Sequence, residues 1–330
     1  MGYSCRICKI PLAFHELVTT KMIQQAVILF LKGLAMGAAN VIPGVSGGTI
    51  ALVTGIYERI IQALRSFRPE NLKRLLEGKV ARFWKSIDGA FLTWIMLGVL
   101  VSIFSLARLL EWLLETREIP TYGFFFGLIA VSVYYVGKGI RRWSPAVILA
   151  LVLGAGVAVS ISLIVPGEEN PNPLYVGLCG VVAICSMILP GLSGSFVLIL
   201  MGNYTLVLAA INSLDLAILF PLALGCGLGL LGFAQILGWL FKRFPDSTLS
   251  TMTGFVLGSL LLIWPWKETL TENAIIEGEW EEWPVGYRWY FPEFSEPTTW
   301  ITLAMIGLGA GVLIGMESLA SRTAPHASSH

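Results

Sequence analysis

The sequence has little charge. Only 13% of its 330 residues are Asp, Glu, Lys or Arg, whereas hydrophobic residues make up 55%. Soluble globular domains carry about 25% charged residues, so this chain has too few charges to cover a surface in water. The composition therefore predicts an all-α polytopic membrane protein. The formal net charge of +1 argues against nucleic acid as a partner.

Histidine and cysteine are also scarce. The three histidines stand near the two ends of the chain, at His15, His326 and His330, so the apolar segments offer no histidine proton relay. Cys5 and Cys8 form one CxxC without a second pair, which is too little for a zinc site. We therefore expect no bound metal, no cofactor and no catalytic residue.

Long apolar runs fill most of the chain. A helix needs roughly 20 apolar residues to cross a bilayer, and ten segments approach that length: 26–42, 46–64, 89–113, 121–138, 144–165, 174–189, 192–213, 216–241, 249–266 and 298–320. The predicted units are an N-terminal tail (1–21), a first repeat (22–165), a second repeat (166–322, with an extracytoplasmic loop at 267–297) and a C-terminal tail (323–330).

The two predicted repeats share sequence. A shift of 147 positions places Pro-Gly-x-Ser-Gly at 43–47 on the same motif at 190–194, with a further Gly and Tyr matching downstream. A shift of 127 positions places "LARLLEWLL" (106–114) on "FAQILGWLF" (233–241), and "GFFFG" (123–127) corresponds to "GFVLG" (254–258). Three matches in the same order indicate an internal duplication.

The basic residues predict how the chain is oriented. The stretch 65–88 carries seven Lys and Arg residues and is placed in the cytoplasm, together with basic groups at 138–142 and 242–243. The loop 267–297 holds eight carboxylates and is placed outside. Each half then consists of a broken or re-entrant helical hairpin and three transmembrane helices. Because three is odd, the halves have opposite orientations, as in many secondary transporters, and both termini are cytoplasmic.

The two Pro-Gly motifs predict breaks within the hairpins. Proline and glycine interrupt helices, and unpaired backbone at membrane depth is tolerated only inside protein or beside a wet cavity. Two breaks in inverted halves are expected to meet near the midplane and to bind an oxyanion with helix-start N–H groups and hydroxyls. Close helix packing is the alternative explanation. The predicted phosphate-binding residues are Asn40, Pro43, Gly44, Ser46, Gly47, Gly48, Thr49, Pro190, Gly191, Ser193, Gly194 and Ser195.

Three charged residues near the first break are predicted to neutralise or couple charge. Ionisable groups within membrane segments are functional candidates. Lys32 precedes the first break, and Glu58 and Arg59 follow it. Lys32 or Arg59 would balance a bound anion, and Glu58 is the candidate for proton or sodium coupling. Glu58 and Arg59 are equally compatible with an interfacial position at a helix end.

The motifs resemble those of the polyprenyl-phosphate transporter family. The resemblance is carried by "KGLAMGAANVIPGVSGGTIALVTGIYERII" (32–61), the second "LPGLSGS" and the paired GFxxG segments. It implies a flippase of the plasma membrane that returns undecaprenyl phosphate to the cytoplasmic leaflet for cell-wall synthesis. Its partners would be this lipid and bulk membrane lipids, and a homo-oligomer is left open.

Two other functions remain open from the sequence. Undecaprenyl-pyrophosphate phosphatases have a similar PGxSRS-type turn, but Gly47 and Gly194 stand where that motif has arginine. A transporter of small inorganic anions would need the same oxyanion site, because the site does not reveal whether its anion carries a lipid tail.

Overall fold

The computed structural model describes residues 12–41, 46–164, 167–276 and 279–323. Eight helices are described in the first half of the chain: α1 (Leu12–Val41), α2 (Gly47–Val53), α3 (Tyr57–Arg65), α4 (Pro69–Leu76), α5 (Val80–Ser86), α6 (Gly89–Thr116), α7 (Glu118–Gly137) and α8 (Pro145–Ser162). Helix α1 thus begins inside the segment predicted to be a tail.

The second half adds six described helices and two strands: α9 (Pro173–Ile188), α10 (Gly194–Leu200), α11 (Tyr204–Ser213), α12 (Leu216–Arg243), α13 (Pro245–Ser259), β1 (Lys267–Ile276), β2 (Glu279–Trp289) and α14 (Pro297–Thr323). Asp215 caps α12 by accepting a hydrogen bond from the Ala217 N–H. The long apolar helices confirm the predicted class, an all-α membrane protein.

The second arm of each hairpin is broken once more. The predicted segments 46–64 and 192–213 each form two short helices, which meet at Gly55 and Gly202 with φ of +72° and +76°. The same hydrogen bonds close both turns, from Ile56 N–H to Ala51 O (3.0 Å) and from Asn203 N–H to Leu198 O (3.0 Å). Left-handed φ favours glycine, so these two glycines end α2 and α10.

Two kinds of segment in the described residues have the composition of membrane spans. Four helices are long and apolar enough to cross alone: Glu118–Gly137, Pro145–Ser162, Leu216–Arg243 and Pro297–Gly315. Two bent pairs would add two more: Val80–Ser86 with Gly89–Ser102, at 71°, and Gly194–Leu200 with Tyr204–Ile211, at 116°. The sharp bend between α10 and α11 means that the predicted segment 192–213 is not one straight helix.

Helix pairing follows the same scheme in both halves. Helix α1 packs along α6 as α9 packs along α12. Glycines allow these close contacts: a Cβ at Gly33 would collide with the Ile95 carbonyl, and one at Gly180 with the Leu222 carbonyl. Gly98 and Gly225 are placed in the same way on the partner helices. The shifts of 147 and 127 positions relate these contacts to one another.

The paired GFxxG motifs also have matching roles. Helices α7 and α14 pack together, as do α13 and α8. Gly123 and Gly127 of "GFFFG" face the backbone of α14, and Gly254 and Gly258 of "GFVLG" face the backbone of α8. Each half therefore supplies a helix that packs against the other half. The opposite orientation of the halves in a bilayer stays a prediction.

The loop predicted at 267–297 contains a two-stranded antiparallel hairpin. Lys267 pairs with Trp289, and a bulge interrupts the ladder at Leu270 and Thr271. Helix α13 ends at Ser259, seven residues before the end of the predicted segment 249–266, and turns connect it to β1. The indole N–H of Trp289 donates to the Leu261 carbonyl (2.9 Å), which fixes the hairpin to these turns.

Candidate functional site

The first break is held by side chains on both of its sides. Ser46 is the N-cap of α2, and its hydroxyl accepts a hydrogen bond from the Gly48 N–H (3.1 Å). The Asn40 side-chain carbonyl at the end of α1 accepts from the Gly47 N–H (2.8 Å), and the Thr49 N–H donates to the Ser46 carbonyl (3.0 Å). Protein acceptors therefore already satisfy the first N–H groups of α2.

The two breaks are in direct contact. The Thr49 hydroxyl accepts from the Gly191 N–H (2.8 Å), and the Ser46 hydroxyl lies 3.4 Å from the Leu189 carbonyl, to which it donates. Gly191 has a φ of +83°, and a Cβ there would meet the Phe255 carbonyl at 2.6 Å. Glycine is therefore required at this turn, which lies between α2 and α13.

Tyr57 adds a third link between the breaks. Its ring is buried, and its hydroxyl donates to the Ile188 carbonyl at the end of α9 (3.0 Å). The sequence repeats this tyrosine at Tyr204, and that repetition was the available signal. The repetition aligns the two halves, but the sequence alone does not predict that Tyr57 holds the second break.

A cavity of about 270 Å³ lies beside the joined breaks; we call it the break cavity. Five of the predicted site residues line it, Asn40, Ser46, Ser193, Gly194 and Ser195, together with Ala183, Ile184, Met187, Leu192, Leu198, Leu222 and Cys226. Its wall is thus a polar strip on an apolar background. Because α9, α10 and α12 supply most of the lining, the cavity belongs mainly to the second half.

The polar strip offers hydrogen-bond donors. Within the described part of the chain, the hydroxyls of Ser193 and Ser195 bond to each other (2.9 Å) and to no other group. Ser193 makes no side-chain cap on α10. The Asn40 side-chain NH2 likewise has no acceptor among the described residues, while its carbonyl oxygen binds Gly47. Three side chains can therefore donate to a ligand oxygen without breaking the protein's backbone contacts.

The remaining predicted phosphate-binding residues support the contact between the breaks or lie outside the described residues. Gly47, Gly48 and Thr49 are buried in the contact between the breaks, and the buried Pro190 precedes Gly191. Pro43 and Gly44 lie outside the described residues. The assignment of phosphate binding to these residues stays a prediction.

The predicted charged residues do not line the break cavity. Lys32 donates to the carbonyl of Thr54 (2.6 Å), the C-cap of α2, where a cation is favoured by the helix dipole. A seven-residue helix is about 10 Å long, so Lys32 contacts the end of α2 opposite the break.

Arg59 and Glu58 lie beyond the turn that follows α2. Arg59 forms a two-pronged ion pair with Asp88 (2.6 and 3.2 Å), and its guanidinium stands 4.1 Å from the centre of the Phe91 ring. Glu58 is exposed in the first turn of α3. Neither residue lines the break cavity, so a ligand there would meet neutral donors.

Comparison with known proteins identifies a family for this chain. The family described as undecaprenyl phosphate translocase-like matches residues 36–280. The chain is 43% identical over 299 residues to a protein named polyprenyl-phosphate transporter from Vibrio cholerae serotype O1, covering 89% of this chain and 96% of that protein.

A second relative has the same name. A protein of the same name from Staphylococcus aureus is 33% identical over 269 residues, which covers 72% of this chain and 86% of the relative. No solved structure matches the chain. The match spans both breaks, both halves and most of the helices, and this chain therefore belongs to the undecaprenyl phosphate translocase-like family.

Proposed function

We propose that the protein is a flippase that returns polyprenyl phosphate from the outer to the cytoplasmic leaflet of the plasma membrane for reuse in cell-wall synthesis. The observation that carries this proposal is the break cavity, where two broken hairpins join and hydroxyl and amide donors face an apolar wall. The relatives named polyprenyl-phosphate transporter identify the class of ligand.

The cavity provides what a lipid phosphate needs at membrane depth. Moving a charged group through hydrocarbon is costly, and hydrogen bonds from neutral donors to a charged oxygen are stronger than bonds between neutral groups. Ser193, Ser195 and Asn40 supply such donors to the phosphate. Leu192, Leu198 and other apolar side chains of the lining accept the first part of the polyprenyl chain, whose remainder stays in the bilayer.

Transfer of labelled polyprenyl phosphate between the leaflets of proteoliposomes tests the function. The wild-type protein is expected to transfer the lipid, and the double variant Ser193→Ala with Ser195→Ala to transfer it at least tenfold more slowly. Ser213→Ala is the matched control, because the Ser213 hydroxyl bonds to the Ala209 carbonyl within its own helix. Wild-type protein that transfers no lipid in either direction would refute the proposal.

A charge introduced at Asn40 tests the site separately from the fold. Asn40→Asp keeps an acceptor for the Gly47 N–H but places a negative charge at the cavity wall. Two like charges about 4 Å apart repel by about 4 kcal/mol at an effective dielectric constant near 20. We expect transfer to fall by at least tenfold while the protein stays monodisperse. Transfer at the wild-type rate would contradict the assignment of phosphate binding to this cavity.

The same preparation distinguishes the two rival activities. Incubation with polyprenyl pyrophosphate should release no inorganic phosphate, because we assign no nucleophile to the break cavity. Liposomes that contain the wild-type protein should take up no more radioactive inorganic phosphate than liposomes without protein. Release of phosphate would favour an enzyme, and uptake of free phosphate would favour an inorganic anion transporter.

A further inference from the structure

A second group of polar contacts lies where α3 meets α12. The Arg65 guanidinium at the end of α3 donates through Nε to the side-chain oxygen of Gln235 (3.3 Å), and Arg68 donates through Nη2 to the same oxygen (3.4 Å). Gln235 lies on α12, so these contacts join the first half of the chain to the second. We call the three residues the arginine cluster, and their side of the molecule, which carries the basic stretch 65–88, the basic end.

The arginine cluster has a mismatch of charge. Two guanidinium groups converge on one neutral amide oxygen, and in the described part of the chain no carboxylate lies within ion-pair distance of either arginine. Like charges held this close repel each other, and the preferred partner of paired guanidiniums is a carboxylate or phosphate, bound through two parallel hydrogen bonds. The amide oxygen of Gln235 thus occupies the position suited to an anionic oxygen.

Local packing gives Arg65 a defined place. Its side chain lies over Gly238 of α12, where a Cβ would collide with the Arg65 side chain. The Gln235 NH2 also donates to the Arg65 backbone carbonyl (3.1 Å) and so caps the end of α3. Gln235 therefore holds α3 and both guanidiniums against α12.

The matching contact in the other half is not equally packed. The repeat relates Ile61 of α3 to Leu208 of α11 by the 147-position shift. Ile61 is 2% exposed, whereas Leu208 is 47% exposed. The first half thus buries a face of α3 that the second half leaves open on α11. The two halves therefore differ in how these matching helices are packed, and many secondary transporters alternate their access by moving one repeat against the other.

We propose that Arg65 and Arg68 form a second phosphate-binding site, at the basic end, and that Gln235 occupies it until α3 separates from α12. The ligand is the phosphate of the polyprenyl carrier, so the inference rests on the proposed function. The break cavity holds the phosphate midway, and the arginine cluster receives it at the end of the path. The two guanidiniums then exchange the amide oxygen of Gln235 for a charged phosphate oxygen, which they bind more strongly.

Substitutions that change charge but keep shape test the proposal in the proteoliposome assay. Arg65→Met with Arg68→Met keeps the apolar stems and is expected to slow transfer at least tenfold. Gln235→Glu places a carboxylate between the guanidiniums and removes the NH2 that donates to the Arg65 carbonyl, so we expect it to slow transfer by a similar factor. Arg142→Met, an exposed arginine of the predicted basic side, should transfer at the wild-type rate.

The variant Gln235→Glu also separates a binding site from a simple structural clamp. A clamp would keep its transport rate when a carboxylate replaces the amide, and that result would overturn the proposal. Transfer at the wild-type rate by the double methionine variant would overturn it too, while leaving the proposed function intact. If the double variant does not fold, the result with Gln235→Glu decides alone.

A binding measurement keeps the inference independent of transport. A short-chain prenyl phosphate and inorganic phosphate are added separately to purified protein, and the rise of the unfolding temperature is compared with that of Arg65→Met with Arg68→Met. We expect the prenyl phosphate to stabilise the wild-type protein more than it stabilises the double variant. Equal stabilisation of both proteins, or an equal effect of inorganic phosphate on the wild type, would contradict a lipid-phosphate site.

Discussion

Replacing Thr49 by valine removes one hydrogen bond between the two halves and little else. The Thr49 hydroxyl is fully buried and accepts from the Gly191 N–H at 2.8 Å. Valine has nearly the same shape but no acceptor, so the variant leaves a buried backbone N–H without a partner. A buried donor left unsatisfied costs about 1 to 3 kcal/mol.

The unfolding free energy of Thr49→Val should therefore fall by about 1 to 3 kcal/mol, measured by titration with sodium dodecyl sulfate in mixed micelles. Thr54→Val, at the C-cap of the same helix, is a matched control. Its hydroxyl donates to the Ile50 carbonyl (2.7 Å), which also accepts from the Thr54 backbone N–H (2.9 Å). That control leaves no group unpaired, so its unfolding free energy should stay within about 0.5 kcal/mol of the wild type.

One outcome of this unfolding experiment would refute the reasoning. If Thr49→Val and Thr54→Val unfold at the same detergent concentration as the wild type, the contact between the breaks contributes nothing. The argument that the two breaks form one unit would then be refuted. Lipid transfer should also fall in Thr49→Val, because a looser contact between the breaks misplaces the donors of the break cavity.

Three further substitutions test other parts of the structure. Tyr57→Phe removes the hydroxyl bound to the Ile188 carbonyl, and the unfolding free energy in mixed micelles should fall by about 0.5 to 1.5 kcal/mol; an unchanged value would show that this link is not formed. Gly225→Leu forces a side chain into the backbone of α9, whereas Gly227→Leu meets open space. Gly225→Leu should aggregate on size-exclusion chromatography and Gly227→Leu should not, and equal behaviour would contradict the packing of α9 on α12. Burial lowers the pKa of Lys267 from its ordinary 10.5 to about 8, although Glu118 opposes this shift. Below that pKa the folded protein carries a costly charge, so its stability rises with pH from about 8 toward 10.5; Lys267→Met should be more stable at neutral pH and lose that rise, and a parallel rise in the variant would contradict the assignment.

The close contacts between helices were the most predictable feature of the fold. Matches at shifts of 147 and 127 positions indicated the duplication, and the glycines Gly33 and Gly180 make equivalent contacts in the structure. Such positions can be identified because close helix contact in a membrane requires small residues, which leaves a mark on the sequence. The Pro-Gly breaks were predictable for a similar reason, since few residues interrupt a helix.

Side-chain partners across the fold were not predictable. Lys32 precedes the first break by about three turns, and its spacing predicts a role beside the anion, whereas its ammonium contacts the Thr54 carbonyl. Arg59 was considered for charge balance and binds Asp88, which is 29 positions away in sequence. Periodicity tells which face of a helix a residue occupies, whereas its partner depends on where other helices pack.

The β-hairpin gave a weaker signal. Tryptophan, tyrosine and glutamate are dense between 279 and 290, and Pro284 and Gly286 interrupt any regular alternation. Proline lacks the N–H that a strand ladder uses, and the eight carboxylates of 267–297 predict an extracytoplasmic loop. The bulge next to Pro284, opposite Leu270 and Thr271, accommodates the proline and lets the strand continue.

The two halves share one motif but differ in chemistry at the break. In the first half Asn40 and Ser46 accept from the N–H groups that begin α2, so that break holds its own backbone. In the second half Met187 stands in the position of Asn40, and the Ser193 hydroxyl does not cap α10. The first break therefore serves as a support, which fixes Gly191 through Thr49, and the second presents its hydroxyls to the break cavity. Under the proposed function, the duplicated sequence produces one binding site in this way: one copy keeps the contacts that stabilise the turn, and the other copy offers its hydroxyls to a ligand.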